Sequence, residues 1–112
     1  MSNNIKQITN FSYHLEEGIL NPETVETAEQ IVLEKLSHIE GFNYIEVTSV
    51  HIDFMTHSHE SQKFAFKILI KGNKDLVFDD LEKGNDFLEV VRAGSEKAVK
   101  FLQKENNKRG SH

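Results

Sequence analysis

Nine residues constrain this chain more than any others: Lys63 to Lys71 reads K-F-A-F-K-I-L-I-K, and its alternation is unambiguous. Phe64, Phe66, Ile68 and Ile70 fall on one side of an extended backbone, and Lys63, Ala65, Lys67, Leu69 and Lys71 on the other. An aromatic and β-branched face backed by a lysine-bearing one predicts a half-buried antiparallel strand with helices behind it. Three lysines then share a solvent face. By default that is the wet side of a sheet, where lysine also discourages edge pairing. With Ala65 and Leu69 between the cations, it is also a surface that could meet an RNA backbone or an acidic protein.

The segments on either side supply the rest of the sheet. Tyr44 to Met55 is rich in β-branched and aromatic residues, but Ile45 and Val47 are out of phase with Val50, Ile52 and Phe54. A bulge near Thr48-Ser49 reconciles the two. Thr56-His57-Ser58-His59-Glu60-Ser61 is a polar connection, so this strand and the next are expected to form a hairpin. Gly72-Asn73-Lys74-Asp75 predicts a second turn, Leu76-Val77-Phe78 begins a fourth strand, and Gly84-Asn85-Asp86 ends the sheet. Ile5, Ile8, Phe11 and Tyr13 recur loosely, as in an irregular first strand.

Two helices complete the reading. Asn21-Pro22-Glu23 has a capping residue, a proline suited to the first helical position and an acid in the first turn. Val25, Ala28, Val32, Leu36 and Ile39 form an apolar stripe, and Gly41 supplies a stop, so a helix is expected over 22–40. Its outer face carries Glu23, Glu26 and Glu34. Asp86 and Glu89 form a capping pair for the last helix. There Phe87, Val90, Val91, Gly94, Ala98, Phe101 and Leu102 are expected to be buried, with Gly94 permitting close approach to the sheet. Arg92, Lys97, Lys100 and Lys104 lie on the outer face. Residues 107–112 read as a disordered tail, its end resembling the start of an expression tag.

The element order is therefore β-α-β-β-β-α. It predicts one α+β domain over 1–106, a four-stranded, mostly antiparallel sheet with two helices on one face. The chain of 112 residues has no cysteine, which excludes disulfides, thiolate zinc sites and cysteine nucleophiles and suits a reducing compartment. No apolar run approaches a membrane span, and the polar start has no signal-peptide character, so a cytoplasmic protein is expected.

The net charge of −5 conceals an asymmetry. Residues 1–62 hold two basic against ten acidic residues, whereas 63–112 hold eleven basic against eight acidic. The average disfavours strong non-specific nucleic-acid binding, yet a local basic face can still take phosphate.

The order, the length and one local pattern together resemble the ribosome-associated inhibitor and hibernation-promoting factor family of bacteria, in its short form. The pattern is G-N-D-F-L-E-V-V-R at 84–92 followed by E-K-A-V-K-F-L at 96–102. Thr56-His57 and Glu34-Lys35-Leu36 resemble further family positions, and the similarity spans about 22–104. The resemblance implies binding in the decoding and messenger channel of the small ribosomal subunit, with inhibition of translation in starved cells. It implies ribosomal-RNA contacts at Lys35, Lys97, Lys100 and Lys104. The strand and helix readings add Lys63, Lys67, Lys71 and Arg92 to the candidate RNA-binding set. The chain departs from the family on its first helix, where Glu23, Glu26, Glu29 and Glu34 stand in place of lysines. Each glutamate facing phosphate would forfeit a released counterion.

Other chemistry has less support. His51, His57 and His59, with Asp53 and Glu60, could approach one another at a strand end, but no complete tetrahedral ligand set is spaced for it, so no metal is expected. Asp79 and Asp80 are neighbours on a strand and point to opposite faces, which unsuits them for acid-base work on one substrate. No glycine-rich phosphate loop, nucleophile elbow or His-Glu-x-x-His motif occurs. The expectation is a non-enzyme without a cofactor or small-molecule substrate. The alternative to RNA is a protein-binding or self-associating module, in which the acidic first helix of one chain meets the basic last helix of another.

Overall fold

The computed structural model describes residues 5–15, 18–56, 64–73 and 75–110, with the side chains of 79–83 and 110 outside the description. It is an α+β fold of α1 (Ile5–Ile8), β1 (Thr9–His14), α2 (Pro22–Leu36), β2 (Val47–Thr56), β3 (Phe64–Gly72), β4 (Leu76–Gly84) and α3 (Phe87–Gly110). The sheet order is β1-β2-β3-β4. Because the chain returns to the sheet through α2, β1 runs parallel to β2, whereas β2-β3 and β3-β4 are antiparallel.

Local chemistry explains the elements. Asn21 caps α2: its Oδ1 accepts from the Thr24 backbone N–H at 2.8 Å and from the Thr24 hydroxyl at 2.9 Å. Pro22 follows in the first turn, where its missing N–H has no partner to lose. Ala28, Val32 and Leu36 are buried along one stripe, and α2 tightens into a 3-10 turn, Ser37–Gly41, which buries Ile39. The bulge expected near Thr48 is present as a register shift between Val47 and Ser49. A Cβ at Gly72 would run into the Glu46 carbonyl, so glycine is required where β3 passes that irregularity. Asn73 fastens the same corner, its Oδ1 accepting from the Glu46 N–H at 3.2 Å and its Nδ2 donating to the Tyr44 carbonyl at 3.2 Å.

The core lies between the sheet and the helices. Phe54 is its centre, fully buried, with Phe11, Tyr13, Phe66 and Phe87 ring centroids at 5.8, 5.6, 5.9 and 5.4 Å. Ile52, Ile68, Ile70, Val91, Ala98 and Leu102 complete it. Gly94 faces Phe66, and a Cβ at position 94 would lie 2.5 Å from Phe66 Cδ1. Phe66 is fully buried against Phe54 and has no room to yield. Gly94→Ala is therefore expected to destabilise the fold by about 1–2 kcal/mol in a urea melt, the overpacking outweighing a helix-propensity gain of about 1 kcal/mol. A stabilised variant would mean that the helix can lift from the sheet at no net loss.

Three expectations are corrected. The first strand does not begin at Ile5: residues Ile5–Ile8 form a helical turn, tied by Thr9 Oγ1 donating to the Ile5 carbonyl at 2.5 Å and by Glu40 accepting from the Ile5 N–H at 2.7 Å. Phe101 is not buried but 48% exposed, because Leu102 takes the inward position and Phe101 moves to the helix edge. Finally, the tail expected over 107–112 is helical as far as Gly110. Asn106 Oδ1 accepts from the Tyr44 N–H at 2.8 Å and Arg109 donates to the Tyr44 carbonyl at 3.3 Å, which anchors this last turn to the segment before β2. His57, His59, Glu60 and Lys63 lie outside the described residues.

Candidate nucleic-acid interface

The fold divides the predicted cations between two sides of the molecule. Phe66, Ile68 and Ile70 of β3 face the helices, so alternation sends Lys67, Leu69 and Lys71 to the opposite, open face of the sheet. Across that face Lys67 is in register with Asp53, and Lys71 with Ser49. Asp53 in turn lies 4.0 Å from His14 Nε2. The open face is mixed in charge, with Leu69 opposite the 54%-exposed Val77.

On the helix side, Lys35 and Arg92 each lie beside a carboxylate. Lys35 Nζ of α2 lies 3.0 Å from Glu96 Oε1 of α3, and Arg92 pairs with Glu89 one turn earlier. The hydrogen bond from Lys35, reinforced by its charge, holds the Glu96 carboxylate below the usual range, and Lys100 and Arg92 add to the effect. A depressed carboxylate stabilises the fold above its unfolded pKa, and that contribution is lost as pH falls through the folded value. The thermal midpoint of the parent should therefore exceed that of Glu96→Gln near neutral pH, and the difference should vanish under strongly acidic conditions. It should be small, since the pair is solvent-screened. A difference independent of pH would contradict the pairing.

The outer face of α3 also carries a stripe of cations. Lys97, Lys100 and Lys104 are exposed and spaced three and four residues apart, so they are neighbours on the helix surface. Lys108, which the sequence reading did not select, continues the row and is also exposed. Like charges at this spacing each destabilise a helix by about 0.2–0.5 kcal/mol, so the arrangement opposes folding slightly while concentrating positive potential. Among them stands Phe101, its ring stacked on Phe78 of β4 at 5.4 Å and 12°. Lys97, Lys100, Phe101, Gln103, Lys104 and Asn107 line a groove of about 290 Å³.

Sequence reasoning missed Phe101 as a surface feature for an identifiable reason. Phe101 and Leu102 both fit a helical stripe with Ala98, and only packing decides which turns inward. A second cleft, of about 390 Å³, lies between α1 and the segment preceding β2. It contains none of the predicted residues, and its Glu40 and Asn73 side chains hold the backbone around them.

Among the described residues no three His, Asp or Glu side chains gather as a metal site. Among the same residues no helix is long and apolar enough to cross a membrane. Compared with known protein families and with curated proteins, the sequence gives no match.

Proposed function

We propose that this domain binds RNA of the small ribosomal subunit through the outer face of α3 and restrains translation in the cytoplasm, acting without catalysis or a cofactor. The observation that carries the reading is the exposed row Lys97, Lys100 and Lys104 around an exposed aromatic ring, a combination suited to phosphate and base together. The resemblance described above supports it, since the residues that bear the family pattern, 84–92 and 96–102, span the end of β4 and the first four turns of α3. Lys35, on α2, and Arg92 are assigned a secondary part because neither lines the groove around Phe101. Lys67 and Lys71 are assigned none in the same contact, as β3 turns these alternate residues away from α3, and Lys63 lies outside the described residues.

Co-sedimentation with small ribosomal subunits tests the proposal. Saturable pelleting is expected at about 50 mM salt, with a fall of roughly 40-fold in affinity at about 200 mM for three phosphate contacts. Failure to pellet at either salt would reject it.

A second reading draws on the charge layout. The exposed Glu23, Glu26 and Glu34 of α2 and the lysine row of α3 belong to helices packed side by side on one face of the sheet. Two copies could pair these faces about a two-fold axis. Light scattering at low salt should then report a dimer that dissociates as salt is raised.

A further inference from the structure

An ordinary phosphate-binding helix face has no need of a phenylalanine at its centre. Phe101 is half exposed, and it is not a loosely placed side chain: one face of its ring is stacked on Phe78, which is itself packed against the core. The ring is thus held from beneath in a fixed plane. Lys97 lies one turn before it, Lys104 one turn after it, and Lys100 beside it. The groove of about 290 Å³ that these residues line also receives the Gln103 and Asn107 side chains. It lies at the small end of ligand pockets, a size suited to a planar fragment with a polar edge.

Each component has a counterpart in a nucleotide. The lysines match phosphate, the amide side chains match the edge of a base, and a pre-positioned aromatic plane matches its π-face. A base inside a duplex has both faces covered by its neighbours, so only an unpaired base can use such a plane. Building on the RNA reading above, we infer that Phe101 is a stacking platform for an unpaired nucleotide, and that α3 therefore selects single-stranded over duplex RNA.

The chain contains no tryptophan, so Phe101→Trp places a sole indole at the site. Its emission should be quenched by a short oligouridylate or oligoadenylate and much less by a duplex of equal phosphate content. In parallel, Phe101→Leu keeps an apolar contact with Phe78 but removes the π-face. Its circular dichroism should match the parent, its single-strand affinity should fall about ten-fold, and its salt slope and duplex affinity should be unchanged.

The outcomes separate the two levels of the argument. If the unaltered chain binds neither small ribosomal subunits nor single-stranded or duplex RNA, both the RNA reading and the stacking platform fall; if it binds subunits or duplex but no single-stranded RNA, only the platform falls. If the lysine row proves essential while Phe101→Leu binds as tightly as the parent, only the platform falls. Unchanged indole emission at saturating oligonucleotide overturns it too, as does a dimer that Phe101→Leu dissociates without any change in RNA binding.

Discussion

Glutamate placed together at positions 97, 100 and 104 is expected to lower affinity for small-subunit RNA about 1,000-fold at about 50 mM salt and to leave the fold intact. The magnitude follows from counterion release, in which each lysine-phosphate contact is worth about ten-fold at that salt. Reversal adds repulsion to the loss. The fold should survive because all three side chains are exposed and none belongs to the core. The same change on the open sheet face, Lys67→Glu with Lys71→Glu, should have an effect at least ten-fold smaller, since β3 carries those residues on the side away from α3. Fluorescence anisotropy with labelled RNA, beside circular dichroism of each variant, measures both. Equal losses from the two sets would mean that the RNA wraps the sheet edge or that binding reports only net charge.

Phe54→Ala is expected to destabilise the protein by about 4 kcal/mol, enough to lower the thermal midpoint by about 15 °C or to unfold the chain outright. The reason is location. Phe54 contacts rings from β1, β3 and α3, so its removal opens a cavity shared by three elements. Phe11→Ala, at a partly buried edge of the same cluster, should lose less than half as much. Urea melts with unchanged slope would report the comparison. Similar losses at the two positions would place the centre of the core elsewhere.

These predictions concern separate parts of the molecule. The aromatic cluster holds β1, β3 and α3 together, whereas the lysine row sits on the outward side of α3 and contributes nothing to that packing. Charge changes on α3 and volume changes in the core should therefore be nearly additive in stability. Glu96 is the exception to watch, because its pairing with Lys35 joins the two helices.

Much of this architecture is legible in the chain. The alternation of Phe64, Phe66, Ile68 and Ile70 names the buried side of β3, and the phase change between Val47 and Val50 places a bulge, since a period of two admits no other way to keep both runs facing the core. Asn21 and Asp86 mark the starts of α2 and α3 because capping is a contact between near neighbours: Asn21 Oδ1 reaches Thr24, and Asp86 Oδ1 accepts from the Glu89 N–H at 3.3 Å. Gly94 declares a close approach before the partner is known. Local periodicity and local hydrogen bonding determine all of these, and both are properties of adjacent residues.

Tertiary structure decided the rest. Nothing near position 5 announces that Ile5–Ile8 is helical, for the Ile5 N–H is satisfied by Glu40, distant in sequence. The continuation of α3 to Gly110 depends on Tyr44, which meets Asn106 and Arg109 only in the folded chain. Whether Phe101 or Leu102 turned inward depended on Phe78 offering a stacking surface at the sheet edge. The eight candidate cations looked like one set in sequence, because charge can be counted without knowing direction. Folding sent two described sheet lysines to one side, set Lys35 and Arg92 beside carboxylates, and gathered Lys97, Lys100 and Lys104 along one groove. A charge belongs to a residue, but an interface belongs to a surface, and only packing makes one.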